Sequence, residues 1–203
     1  MSGKACLSER LVKLFEASPH FYDMVQVSFD NPFYYFTSVT HHRLPIFRTE
    51  KMKQVMSNAL DDARRTSQML FFAYVIMHDH FHIITDGNRT LADSLRYLNG
   101  VTARKIIDFL KDGGYEESLN KLRQATKKKG WQYSAWEHHS DKFLITSESM
   151  LMQKVNYIHN NPVEAGFVKK AENYLYSSAR LWKGVPVDDE PLTMDNKLIK
   201  WRG

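Results

Sequence analysis

The chain alternates between two hydrophobic periods. Residues 33–42, FYYFTSVTHH, are aromatic and β-branched and predict a strand. Residues 49–68 carry Met52, Val55, Met56, Leu60 and Ala63 at the spacing of one helical face. Two apolar runs follow, MLFFAYVIMHD (69–79) and HFHIITDG (80–87), and predict a strand pair. Residues 90–114 predict a helix that breaks near Gly100 and stops at Gly113-Gly114. Residues 115–130 predict a further helix with a basic end, and 131–146 a connector that could carry a strand. Ser147 is an N-cap for a last long helix, 147–166, with Glu148 in the first turn, where the helix dipole favours an anion. Pro162 is expected to end that helix's regular hydrogen bonding. Ahead of all this, 8–17 predicts a short helix capped by Ser8.

Strand, helix, two strands, helix and strand imply an α+β fold, a ferredoxin-like antiparallel sheet with helices on one side. Three segments result: a helical lead-in at 1–30, one main domain at 31–183 and a tail at 184–203. At 203 residues and 43% apolar, the chain is long enough to bury a sizeable core. No stretch reaches the length of a membrane helix, and the N-terminus lacks a signal-peptide core, so a cytoplasmic location is expected. Cys6 is the lone cysteine, which excludes an intramolecular disulfide and a thiolate metal cluster. The net charge of +5 leans toward an anionic partner.

Candidate chemistry sits in two places. His78, His80 and His82 alternate, and side chains two apart on a strand project together. Such imidazoles can bind a metal or form the polar face of an ordinary sheet. On the last helix, Tyr157 and Asn161 are four apart and share a face. A tyrosine can act as a covalent nucleophile, and an amide oxygen is a hard ligand for a divalent cation. His159 lies off that face and reads as structural.

The blocks FTSVTHHRLPIF, FAYVIMHDHFHII and KVNYIHNNPVEAGFV…YLYSSARLW resemble the HUH single-tyrosine transposases of the insertion-sequence type, specifically the REP-associated tyrosine transposase group. They fall in the family's order and span about residues 33–182. The resemblance makes 31–183 the transposase domain and places the catalytic tyrosine, Tyr157, on its C-terminal helix. It implies that His80 and His82 are the paired metal ligands and that Asn161 stands at the third. It further implies attack by Tyr157 on single-stranded, hairpin-forming repeat DNA, with a 5′-phosphotyrosine intermediate and a nucleoid-associated setting in a bacterium. A divalent cation is required, Mg²⁺ by abundance or Mn²⁺ by the preference of imidazole. In one respect the chain departs from the family. His78 stands where the family has proline, on the expected ligand face, so it interferes, adds a ligand or points past the site.

For DNA contacts the candidates are Thr40, His42 and Arg43 at the end of the first strand, together with Arg104 and Lys105. The last two lie in a stretch, 101–130, with eight basic and four acidic residues. Trp131, Tyr133 and Trp136 could stack on bases or pack over the sheet edge. A homodimer is compatible with all of this. Two other readings stay open: a DNA-binding protein of the same fold that no longer cuts, and a metal-dependent nuclease that uses water.

Overall fold

The computed structural model describes residues 24–123, 133–138 and 140–202. The helix expected at 8–17 and the residue Trp131 lie outside them. In chain order the elements are β1 (Phe33–Val39), α1 (Glu50–Ser67), β2 (Phe71–Ile76), β3 (His80–Thr85), α2 (Leu91–Asp112), α3 (Glu116–Lys121), β4 (Asp141–Ile145), α4 (Glu148–Glu164) and α5 (Ala179–Lys183). The four strands form one sheet in the order β2-β3-β1-β4, and every neighbouring pair is antiparallel.

Alternation sorts the sheet residues onto two faces. Phe36, Ser38, Phe81 and Ile83 face α1 and α2, which pack on each other; Ser38 Oγ donates to Asn99 of α2. Phe81 and Phe36 are fully buried there. Tyr35, Thr37 and His82 project from the opposite face, and α4 covers that side, its Tyr157 ring lying 5.4 Å from the His82 ring. Helices therefore cover both faces, not one.

The sheet's outer edge at β2 is closed by a return segment. Ile76 N–H donates to Tyr176, and Ser178 N–H donates to Tyr74, so 176–178 runs beside β2 like a short extra strand. Arg180 holds this segment in place. Its guanidinium is buried, pairs with Glu190 at 2.9 Å, and donates to the carbonyls of Tyr174 and Leu175. The tail beyond residue 183 folds back on the same core: Asp195 bonds Arg64 and the Phe71 amide, and Lys200 pairs with Val25.

Several local expectations change. The helix over 91–112 runs unbroken through Gly100, because Leu95, Leu98, Thr102, Ile106 and Leu110 bury one continuous stripe and outweigh the roughly 1 kcal/mol that a helical glycine costs. The helix begun at Glu116 stops at Lys121, and Arg123 instead bridges to Tyr133. Pro162 lies inside α4, near its C-terminus, where one missing donor is tolerated. The turn past the proline is closed by Phe167 N–H to the Pro162 carbonyl, with Gly166 at a left-handed φ of 72°.

Candidate active site

β1 and β3 pair so that Thr37 lies opposite His82 and Val39 opposite His80. His82 is 3% exposed. Its Nδ1 lies 2.8 Å from both the Tyr35 and Thr37 hydroxyls. In the tautomer with its proton on Nδ1, toward those oxygens, the Nε2 lone pair is left over, and Nε2 is buried without a hydrogen-bond partner. Burial, then the neighbouring His80, push the His82 pKa down to about 3, opposed by the nearby Asn161 carboxamide. The ring is thus neutral at any ordinary pH. Burial likewise raises Tyr35 well above the usual phenol range, so that side chain remains a phenol.

His80 stands at the mouth of the site, its ring 4.9 Å from that of His82. Asp79 accepts from its Nδ1 at 2.6 Å, which fixes the tautomer and leaves the lone pair on Nε2. Burial alone would raise the Asp79 pKa, but His80 and Arg43 together hold it below the usual carboxylate range. Arg43 Nη1 lies 3.0 Å from Asp79. A line of three groups, Arg43–Asp79–His80, therefore runs into the site.

Tyr157 is 44% exposed on the inner flank of α4. Its ring lies 6.5 Å from that of Tyr35, and the Lys154 ammonium sits 5.4 Å from the Tyr157 ring, also over Tyr35 and Phe143. Asn161 donates through Nδ2 to the Tyr157 carbonyl, which leaves its oxygen as the end that faces His82. A groove of about 530 Å³ opens along α4 beside Tyr157, lined by Gln153, Asn156, Asn160 and Trp182.

His80, His82, Tyr157 and Asn161 therefore come together. His78 does not join them. It falls in the tight turn closed by Met77 N–H to His80, where strand alternation no longer applies, and its ring stacks on Phe167 at 4.2 Å. Of the three alternatives for His78, it points past the site. His159, off the tyrosine face, is buried against Ser178 Oγ at 2.8 Å.

The DNA-contact candidates are dispersed. Thr40 is fully buried and its hydroxyl donates to the Leu44 and Asp79 carbonyls, so it braces the turn and offers the surface nothing. His42 and Arg43 are exposed beside the site. Arg104 and Lys105 stand on the outer side of α2, across the sheet from His82, and Lys105 pairs with Asp62 at 2.7 Å. Trp136 packs on Phe47 and Phe81 and donates to Asn99 and Thr102, while Tyr133 is half-buried beneath Lys111 and Arg123. Sequence reading missed Tyr35, Thr37, Asp79 and Lys154. Lys154 was within reach, since it is three residues before Tyr157 on the same helix face.

No family model matches the chain. It is 27% identical over 149 residues to a Haemophilus influenzae protein named as a REP-associated tyrosine transposase, a match covering 71% of this chain and 78% of that one. Its fold superposes on the solved structure of a REP-associated tyrosine transposase bound to a REP hairpin, with a TM-score of 0.55 and 18% identity over 81% of this chain and 87% of the other. The chain is similar to REP-associated tyrosine transposases in both sequence and fold. Its four-stranded antiparallel sheet with flanking helices is the fold of that transposase neighbour. No helix among the described residues is long and apolar enough to cross a membrane.

Proposed function

We propose that the protein cleaves and rejoins single-stranded, hairpin-forming repeat DNA through a 5′-phosphotyrosine intermediate on Tyr157. The ferredoxin-like reading of the sheet order, with residues 31–183 as the working domain, belongs to this proposal. So does the divalent cation. The observation that carries the reading is the placement of an exposed tyrosine 5.4 Å, ring to ring, from a buried histidine whose Nε2 has no partner. The donor set fits a cation: both imidazoles engage their Nδ1 elsewhere and keep Nε2, and the Asn161 carboxamide, its Nδ2 spent on the Tyr157 carbonyl, faces His82. His80, His82 and Asn161 would hold Mg²⁺ or Mn²⁺, which supplies charge neutralisation at the phosphate oxygens when bound.

The chain's own residues do the rest. Tyr157 Oη attacks the scissile phosphorus, forming the O–P bond as the bond to the 3′ oxygen breaks; the phenol proton passes to solvent and the leaving oxygen takes one up. Lys154, over the tyrosine ring, lends positive charge to a strand laid across α4. His42 and Arg43 flank the entrance on the other side. The phosphotyrosine bond retains the energy of the phosphodiester, so attack by another 3′-OH reverses the step. A REP hairpin, the ligand of the structural neighbour, is the substrate class to try first.

The test is a hairpin-bearing single-stranded oligonucleotide run on a denaturing gel with protein and Mn²⁺. Wild type should give a covalent protein–DNA adduct, and Tyr157→Phe should bind the DNA but give none. Cleavage retained by Tyr157→Phe, or equal cutting of the fully paired duplex, would overturn the reading and favour a nuclease that uses water.

A further inference from the structure

A second cluster of metal-type donors lies at the end of β1, outside the site described above. In a regular strand His41 and His42 would point to opposite faces. Here the strand ends at Val39, and His42 and Arg43 both take left-handed φ values, 53° and 52°. Histidine tolerates that region better than most side chains, but two consecutive non-glycine residues there mark a backbone held in place by its surroundings. The result brings the two imidazoles together, with ring centroids 3.9 Å apart.

The third group arrives from the facing segment. His41 N–H donates to the Ala135 carbonyl and Glu137 N–H to the Val39 carbonyl, so 135–137 lies antiparallel to the end of β1. This register delivers the Glu137 carboxylate to the imidazole pair: Oε1 accepts from the His42 amide and stands 3.7 Å from His41 Nδ1. One ligand atom from each of the three residues falls within 4.8 Å of the others.

We propose that His41, His42 and Glu137 form a second divalent-cation site, suited to a Zn²⁺-like borderline transition metal. Two imidazoles and one carboxylate are a common donor set for zinc, and they leave a coordination position open. Mg²⁺ and Ca²⁺ would favour an all-oxygen set. Burial and then His42 lower the His41 pKa, and the His42 amide holds Glu137 ionised.

A simple ion pair explains less of this arrangement. Glu137 next to one imidazole would make a pair without a second ring so close, since two protonated imidazoles repel. The cation would act on the first site by position. The turn it would fix, 41–43, carries Arg43, which holds Asp79, which in turn holds His80. The proposal does not depend on the role of Tyr157.

The test uses the full chain without a polyhistidine tag, stripped with chelator and titrated with ZnCl₂ by calorimetry. Wild type should take up two ions, and His80→Ala/His82→Ala should keep one. Adding Glu137→Gln or His41→Ala to that variant should weaken the remaining ion at least tenfold. In the wild-type background Glu137→Gln should lower the stoichiometry from two to one, and Co²⁺ should give the visible absorption of a low-coordinate site in the His80→Ala/His82→Ala protein. No ion bound by that variant, or binding indifferent to Glu137→Gln and His41→Ala, would overturn the proposal and leave a histidine–glutamate ion pair.

Discussion

Lowering the pH from 7 to 5 should destabilise this protein through His159, by an amount the structure sets. His159 is buried in α4 against Ser178, and burial depresses its pKa from the ordinary 6.5 to about 4, with Lys183 adding to the effect. In the unfolded chain the imidazole takes up a proton near pH 6.5; in the folded protein it stays neutral until about pH 4. The stability it supports is therefore complete above pH 6.5, falls as the pH drops toward 4, and falls no further below that. A pH of 5 lies 1.5 units below the unfolded-state pKa of 6.5 and still above the folded value, which at 1.36 kcal/mol per unit favours unfolding by about 2 kcal/mol. With a urea m-value of about 2 kcal/mol per molar, the midpoint moves by about 1 M. His159→Gln keeps a hydrogen-bonding group toward Ser178 without a titrating proton. Urea unfolding of both proteins at pH 7 and pH 5 should show the variant losing about 1 M less than wild type. Equal losses in the two would refute the argument that this buried imidazole resists protonation.

Asp79→Asn should weaken Mn²⁺ binding about 10- to 100-fold by calorimetry, because the His80 Nδ1 loses its carboxylate; unchanged affinity would mean that Asp79 does not orient the ligand. His78→Pro should change stability by no more than about 1 kcal/mol and leave cation binding intact, since the ring it removes stacks on Phe167 away from His82; a lost ion would make His78 a ligand after all. Arg180→Leu should cost about 3 kcal/mol in thermal or urea unfolding, as it leaves the half-buried Glu190 carboxylate with only the Val187 amide and frees two carbonyls. A near-neutral result there would mean the return segment holds by packing alone.

The order of elements was legible because the two periods are strong in β1, α1, α2 and the β2–β3 pair. The errors have physical causes. Gly100 and Pro162 are local breakers whose penalties are small beside the packing of Leu98 and Ile106, or Val155 and Ile158, on either side. The side of the sheet that α4 covers is a tertiary matter, and no local pattern carries it. At the site, spacing put His80 with His82 and Tyr157 with Asn161, but the meeting of the two pairs came from the resemblance. Tyr35 and Thr37 could not be assigned to His82 without the β1–β3 register. Which of its three alternatives His78 takes was not legible, because an alternating pattern looks the same whether or not a turn interrupts it.

The return segment at 174–180 has a consequence for solubility. β2, FFAYVI, is buried along its whole length and carries no charge, proline or glycine. A strand of that composition at a bare sheet edge is a template for pairing with another copy of itself. Tyr176, Ser177 and Ser178 occupy that edge, and the Arg180 guanidinium clasps them to it. The block YLYSSARLW thus shields an apolar strand that would otherwise stand at the sheet edge. A proteolytic cut or truncation ahead of Tyr174 would expose six apolar residues in extended form, and the product should precipitate even where the rest of the core is intact.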